Sequence, residues 1–276
     1  MPSRLMIHDL SIGQDRLVLQ SCDLIEAPNW SPCGGFLVVN GNGRLFRVDL
    51  GNPALEPIET GHAVACNNDH GISPDGTTLV ISDKSATEGS CIYTLPIGGS
   101  AAPQRVTPNV PSYWHGWSPD GETLAYCARR NGVFDIYTIP VAGGDETRLT
   151  DGKGHSDGPD YTPDGRWIWF NSSRSGTMHL WRIRPDGTGL QQMTDDDRTN
   201  WFPHPSPDGK SVLYLAYDGG VEGHPRDHNV ALRLMRSEGG QSRTLVSLFG
   251  GQGSINVPCW SPDGQRFAYI RYEDLA

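Results

Sequence analysis

The chain has 276 residues and a net charge of −10, from 22 Lys+Arg against 32 Asp+Glu. An acidic chain with no basic run repels a phosphate backbone, and no stretch approaches the ~20 apolar residues of a membrane helix, so neither nucleic acid nor membrane is an expected partner. Its 34 Gly and 21 Pro would suggest low complexity if the sequence lacked a period, but it has one.

From the N-terminus, the first nine residues carry one basic residue, a short apolar stretch and then Asp9. This does not read as a secretory leader, and a cytoplasmic location is the expectation. Two strands follow, over residues 5–10 and 16–20, with a turn at Gly13. Next comes the first of six related tetrapeptides: Ser31-Pro32-Cys33-Gly34, Ser73-Pro74-Asp75-Gly76, Ser118-Pro119-Asp120-Gly121, Thr162-Pro163-Asp164-Gly165, Ser206-Pro207-Asp208-Gly209 and Ser261-Pro262-Asp263-Gly264. Their spacings are 42, 45, 44, 44 and 55 residues. Pro presets φ near −65°, Asp bonds local backbone, and Gly supplies the left-handed position, so each copy is a tight turn.

An apolar run follows every turn, at residues 36–39, 78–81, 123–126, 167–170, 212–215 and 267–270. A third strand follows the first five of these, and then a Gly-bearing turn and a short fourth strand. Four short antiparallel strands per ~44 residues describe a propeller blade. After the sixth turn the chain makes one more strand and stops near Tyr272. The missing third and fourth strands are those at the N-terminus. The expected fold is an all-β, six-bladed β-propeller, one domain over residues 1–276, whose last blade takes two strands from each end of the chain. The six cysteines show no CxxC spacing and are expected as buried free thiols.

Pro28-Asn29-Trp30-Ser31, Pro258-Cys259-Trp260-Ser261 and Gly116-Trp117-Ser118, each before its turn and apolar strand, and later Ile-Tyr and Gly-Gly, carry a family resemblance. Over nearly its whole length the chain resembles the TolB-like propellers built from PD40-type repeats. That resemblance implies the ring and says little about function, because the fold hosts many. TolB itself is a periplasmic partner-binding protein with an additional N-terminal domain, and its role is not carried over. Prolyl-oligopeptidase-type enzymes join such a ring to a hydrolase domain, and a serine peptidase is not expected here. Oligogalacturonate lyases hold a metal with His and Gln side chains at the propeller mouth and use a further His in catalysis. Their ligand set does not match residue by residue: near His204 stand Asn200 and Trp201, not Gln.

Blade connectivity sends the Ser-Pro-Asp-Gly turns to one face and the connections between blades, with those between second and third strands, to the other. Seven of nine histidines fall on that second, mouth side: His62, His70, His115, His155, His204, His224 and His228. His70, His115, His155 and His204 come from four consecutive blades and are expected to converge on one funnel. Asp157, Trp114, Asn200 and Trp201 accompany them, with Asn67, Asp69 and Tyr113 nearby. Imidazoles among aromatics and a carboxylate suit a small polar or sugar-derived ligand. An insertion at residues 218–229 brings His224 and Arg226 to the same face, where Arg226 could pair with a uronate carboxylate. Asp195-Asp196-Asp197 and the His224/His228 pair are weaker candidates for a cation.

The first expectation is thus a binding scaffold for a small polar or sugar-derived ligand, or for a protein partner, at the histidine-rich mouth. The alternative is a metal-assisted carbohydrate-active enzyme of the oligogalacturonate-lyase kind, with a divalent metal as its cofactor. A ring serving protein interaction alone ranks third.

Overall fold

A computed structural model describes residues 1–273. Six antiparallel sheets stand around one axis. Blade one is β3 (Glu26–Trp30), β4 (Phe36–Gly41), β5 (Arg44–Asp49) and β6 (Glu56–Pro57). Blade two is β7 (Cys66–Ile72), β8 (Thr78–Asp83), β9 (Cys91–Pro96) and β10 (Gln104–Arg105). Blade three is β11 (Ser112–Trp117), β12 (Thr123–Arg130), β13 (Val133–Pro140) and β14 (Thr147–Arg148). Blade four is β15 (Ser156–Tyr161), β16 (Ile168–Ser172), β17 (His179–Ile183) and β18 (Gln191–Gln192). Blade five is β19 (Thr199–Pro205), β20 (Ser211–Tyr217), β21 (His228–Arg236) and β22 (Arg243–Gly250).

The sixth blade is shared, as expected. The C-terminal β23 (Arg266–Tyr272) pairs with β1 (Ser3–Asp9) in unbroken register from Ser3–Tyr272 to Asp9–Arg266, and β2 (Gln14–Ser21) forms the outer edge. Its innermost position is held by an irregular segment, which joins the sheet through the Trp260–Phe267 bridge and the Ala268 N–H to Cys259 carbonyl bond. The insertion in blade five is a loop over 218–227, because His228 and Asn229 already belong to β21.

The turns work as their chemistry dictates. In the second copy the Ser73 hydroxyl donates to Asp75 at 2.6 Å and accepts from the Thr78 N–H at 2.9 Å, while Gly76 sits at φ 75°. The turns also touch round the ring. A Cβ on Gly76 would lie 3.9 Å from Pro32, and one on Gly34 would lie 3.8 Å from Pro262, so the last turn meets the first. The strands after each turn are buried on both faces, since each lies between two neighbouring blades. That explains their continuous apolar runs where a one-sided sheet would alternate. In blades one to four the outermost strands are only two residues long, which leaves little free edge for foreign pairing.

All six cysteines are free. Cys66, Cys91, Cys127 and Cys259 are buried as expected, but Cys22 and Cys33 are exposed, because Cys33 occupies the solvent-facing Asp position of its turn.

Leu5 of β1 is fully buried in the shared blade, whereas Leu17 of the edge strand β2 is 48 % exposed. Leu5→Ala should cost about 2–5 kcal/mol of stability in urea unfolding, while Leu17→Ala should stay within about 0.5 kcal/mol. Equal effects would mean that the shared blade does not close the ring.

Candidate functional site

Each regular innermost strand carries a bulge. The register shifts between Glu26 and Asn29, Cys66 and His70, Trp114 and Gly116, Asp157 and Asp160, and Trp201 and His204. Bulges bend a strand and re-aim its side chains. In β15 the bulge is built on Gly158 at φ 61°, where a Cβ would stand 2.8 Å from the Asn171 Oδ1. In β19 it is built on Phe202 at φ 52°, whose N–H donates to that same Asn171 oxygen at 3.0 Å. Asn171 of β16 therefore bonds one bulge and fits against the other, where only glycine leaves it room. The two bulges turn Asp157 and Phe202 toward the funnel.

The funnel cavity has a volume of about 240 Å³ and is lined by Asn67, Asp69, Tyr113, His115, Cys127, Phe134, His155, Asp157, Phe202, His224 and Gln252. Asp157 is its hub. His115 Nε2 lies 3.2 Å from Asp157 Oδ1, while His155 Nε2 and His224 Nε2 lie 3.7 and 3.8 Å from Oδ2. The Gly158 N–H donates to Oδ1 at 2.8 Å. On the other side His115 Nε2 stands 3.8 Å from Asp69 Oδ1, and Asp69 accepts from Asn67 and Asn256 at 2.6 Å each.

Burial shapes the charges. It pushes the Asp69 carboxyl up to about 6, although His115 opposes it. Burial would also raise Asp157, but the His115 and His155 imidazoles outweigh it and hold this carboxyl well below its ordinary range. For His115 burial acts downward, and the two carboxylates overcome it and raise the imidazole. His224 is lowered by burial. Asp157 and His115 thus form a buried ion pair, with Asp69 as a second carboxylate in reach. Aromatic rings back the imidazoles: Phe134 stacks on His155 at 4.8 Å and Phe202 on His115 at 5.9 Å between centroids.

Of the expected site residues, His115, His155, Asp157 and His224 line this cavity, together with their expected neighbours Asn67, Asp69 and Tyr113. The others lie elsewhere. His70 is buried behind the funnel, its Nε2 3.3 Å from the Val38 carbonyl, and burial lowers it to about 4. Trp114 packs flat on Gly71 of the next blade, where a Cβ would clash with its ring. Asn200 donates to Asp196 at 2.8 Å, and Asp196 also takes Arg233 at 2.6 Å, so the Asp195–Asp197 turn is tied into its blade. Trp201 stands one layer back, edge-on to His155 and His224. His204 fills the channel between the Asp160 carboxylate at 3.1 Å and the Ile255 carbonyl at 2.7 Å. Arg226 points away and pairs with Asp227 at 3.1 Å, so among the described residues no arginine or lysine lines the cavity. His228 is exposed on β21, against Tyr217.

Phe134, Phe202, Cys127 and Gln252 join the site without a sequence signal that pointed there. Phe202 and Trp201 are neighbours, and only the bulge decides which faces the funnel. The pentapeptide Gly154-His155-Ser156-Asp157-Gly158 has the spelling of a nucleophile elbow. It is not one: Ser156 begins a strand that no helix follows, and its hydroxyl is buried against the Ser172 hydroxyl at 3.0 Å.

Among the described residues, Cys127, His155 and Asp157 offer ligand atoms within 4.8 Å of one another. Burial first, and then Asp157, raise the Cys127 thiol well above its ordinary range, and it donates to the Ser156 carbonyl at 3.3 Å. A thiol must lose its proton to ligate, so this set fits a metal in spacing better than in protonation.

The TolB beta propeller domain family, PD40, matches residues 108–231. A curated but uncharacterized protein of Agrobacterium fabrum is 53 % identical over 273 residues, covering 99 % of this chain and 93 % of its own. A solved structure of a putative TolB from Agrobacterium tumefaciens is 52 % identical with a TM-score of 0.97, covering 100 % of this chain and 99 % of that one. An oligogalacturonate lyase solved with manganese is similar at 15 % identity and a TM-score of 0.57, over 89 % of this chain and 67 % of that one, a likeness of fold alone.

His70 makes the buried histidine testable. Unfolded, it titrates near 6.5, and folded near 4, so its stabilising contribution is complete above pH 6.5 and is lost as pH falls toward 4. That loss is about 3 kcal/mol. Urea unfolding between neutral and pH 4 should show a shallower decline for His70→Gln than for the native chain; parallel declines would contradict the assignment.

Proposed function

The chain belongs to the family of TolB-like β-propellers, and from that premise we propose that it is a binding propeller whose small polar ligand sits in the funnel around Asp157. The observation that carries this reading is the convergence of three imidazoles from blades three, four and five on one buried carboxylate at the wall of a cavity. Buried polar groups are ordinarily hydrogen-bonded, yet His155 Nε2 and His115 Nδ1 have no hydrogen-bond partner among the described residues. Rings and carboxylates in a recess favour a small molecule over a protein, which needs a wide contact. The volume falls below the ~300–1,000 Å³ of drug-sized clefts, so the ligand is fragment-sized.

A second reading puts a divalent cation at the same point. The spacing of Cys127, His155 and Asp157 favours it, and the protonated thiol weighs against it. Such an ion would supply Lewis-acid chemistry, with His155 and Asp157 holding it and His115 orienting Asp157.

A fragment screen followed by thermal shift tests both readings. Hits should lose their shift in His155→Ala and keep it in Arg226→Ala. Hits indifferent to His155→Ala would contradict the funnel site. Stoichiometric metal in the purified protein, removed by His155→Ala, would favour the second reading.

A further inference from the structure

The funnel cavity has an uneven charge inventory. Two buried carboxylates line it, Asp69 and Asp157, and among the described residues no lysine or arginine does. Of the guanidinium groups toward the mouth, Arg130 forks onto Glu146 and Arg226 bonds Asp227, while Arg129 stands 5.8 Å from the Phe134 ring without lining the cavity and donates to the Gly132 carbonyl. His115 is shared between the two acids, at 3.2 Å from Asp157 Oδ1 and 3.8 Å from Asp69 Oδ1. One imidazolium cannot neutralise both.

The two oxygens of Asp157 are used unequally. Oδ1 takes the Gly158 N–H and faces His115. Oδ2 has no hydrogen-bond donor among the described residues; its nearest polar neighbours are His155 Nε2 and His224 Nε2, at 3.7 and 3.8 Å. A carboxylate oxygen that faces the cavity without a protein donor is free to take one from a ligand. Both flanking imidazoles can present a lone pair at Nε2 if the proton sits on Nδ1.

Resting on the reading of the funnel as a small-ligand site, we propose that its ligand is a small organic cation, a primary amine whose ammonium donates to Asp157 Oδ2. An ammonium carries three donors, matched by Oδ2 and the two imidazole acceptors. A charged donor to a carboxylate is about twice as strong as a neutral one. A carboxylate ligand would instead meet Asp157 and Asp69 together, with His115, already shared between those two acids, as the one cation in reach. A cavity of about 240 Å³ is several times the ~30 Å³ share of one water. It leaves room for an organic body against Phe134, Phe202 and Tyr113.

The test titrates the intact chain, stripped of metal with EDTA, with benzylamine, benzyl alcohol and benzoate at neutral pH by calorimetry. These probes share a ring and differ in charge. Benzylamine should bind at least about ten-fold more tightly than benzyl alcohol, and benzoate should give no heat. Asp157→Asn, which keeps shape and removes charge, should erase the preference for the amine. His224→Ala removes one acceptor and its edge contact with Trp201; it should weaken benzylamine several-fold with the native circular dichroism retained, which keeps the test sharp if Asp157→Asn fails to fold. Alcohol or benzoate binding as tightly as the amine, still sensitive to His155→Ala, would overturn the cation and leave the funnel site standing. Silence from all three probes would overturn both. Binding of Mn²⁺ one to one, with no response to benzylamine, would overturn the amine in favour of a metal.

Discussion

Blades that meet at an axis must narrow there, and the bulge that bends each innermost strand decides which side chains face the funnel. In β15 that constraint is met by Gly158, which leaves room for the Asn171 amide, and in β19 by Phe202, whose N–H donates to that amide. A single side chain thereby bonds the bulge that aims Phe202 and lies against the one that aims Asp157. The site is local in chemistry but depends on the ring for its geometry. Closure through β1 and β23 sets the spacing of the blades, and the spacing brings His115, His155 and His224 within 4 Å of one carboxylate.

The energetics of that cluster favour specificity over stability. Burying a carboxylate and an imidazolium together seldom gains more than well-packed apolar groups would, whereas removing one partner leaves an expensive lone charge. Asp69 adds a second acid that burial pushes up to about 6. A ring made only to be stable has no use for these groups. Clusters of perturbed acids and bases in a recess are where ligand chemistry is concentrated. His204 and Asp160 form a similar pair deeper in the channel, but both are occupied, His204 by the Ile255 carbonyl as well, so that pair closes the channel.

The ring was legible because its signals are local. Ser-Pro-Asp-Gly is a turn by its own chemistry, and a strand packed between two blades reads as an apolar run. The count of third strands even located the shared blade. The face of the site was legible for the same reason, since connectivity alone sends His115, His155 and His224 to the mouth. Depth and direction were not. His70 and His204 sit beside bulges that turn them into the protein, Trp114 is claimed by Gly71, and Asn200 by Asp196. A bulge shifts alternation by one residue, so Phe202 lines the cavity where Trp201 was expected. Arg226 reached the right face but found Asp227, a partner one residue away. Among the cysteines, repeat position was the better guide: Cys33 is exposed because a turn Asp would be.

The central claim is that Asp157 organises the funnel by holding His115 as a buried cation. Side-chain NMR of the histidines, with the His115 signal assigned by His115→Gln, measures this directly. His115 should titrate above the ordinary 6.5 in the native chain and markedly lower in Asp157→Asn, where Asp69 is the one carboxylate left to oppose burial. A His115 that titrates below 6.5 in the native chain, or that does not respond to Asp157→Asn, would contradict the account.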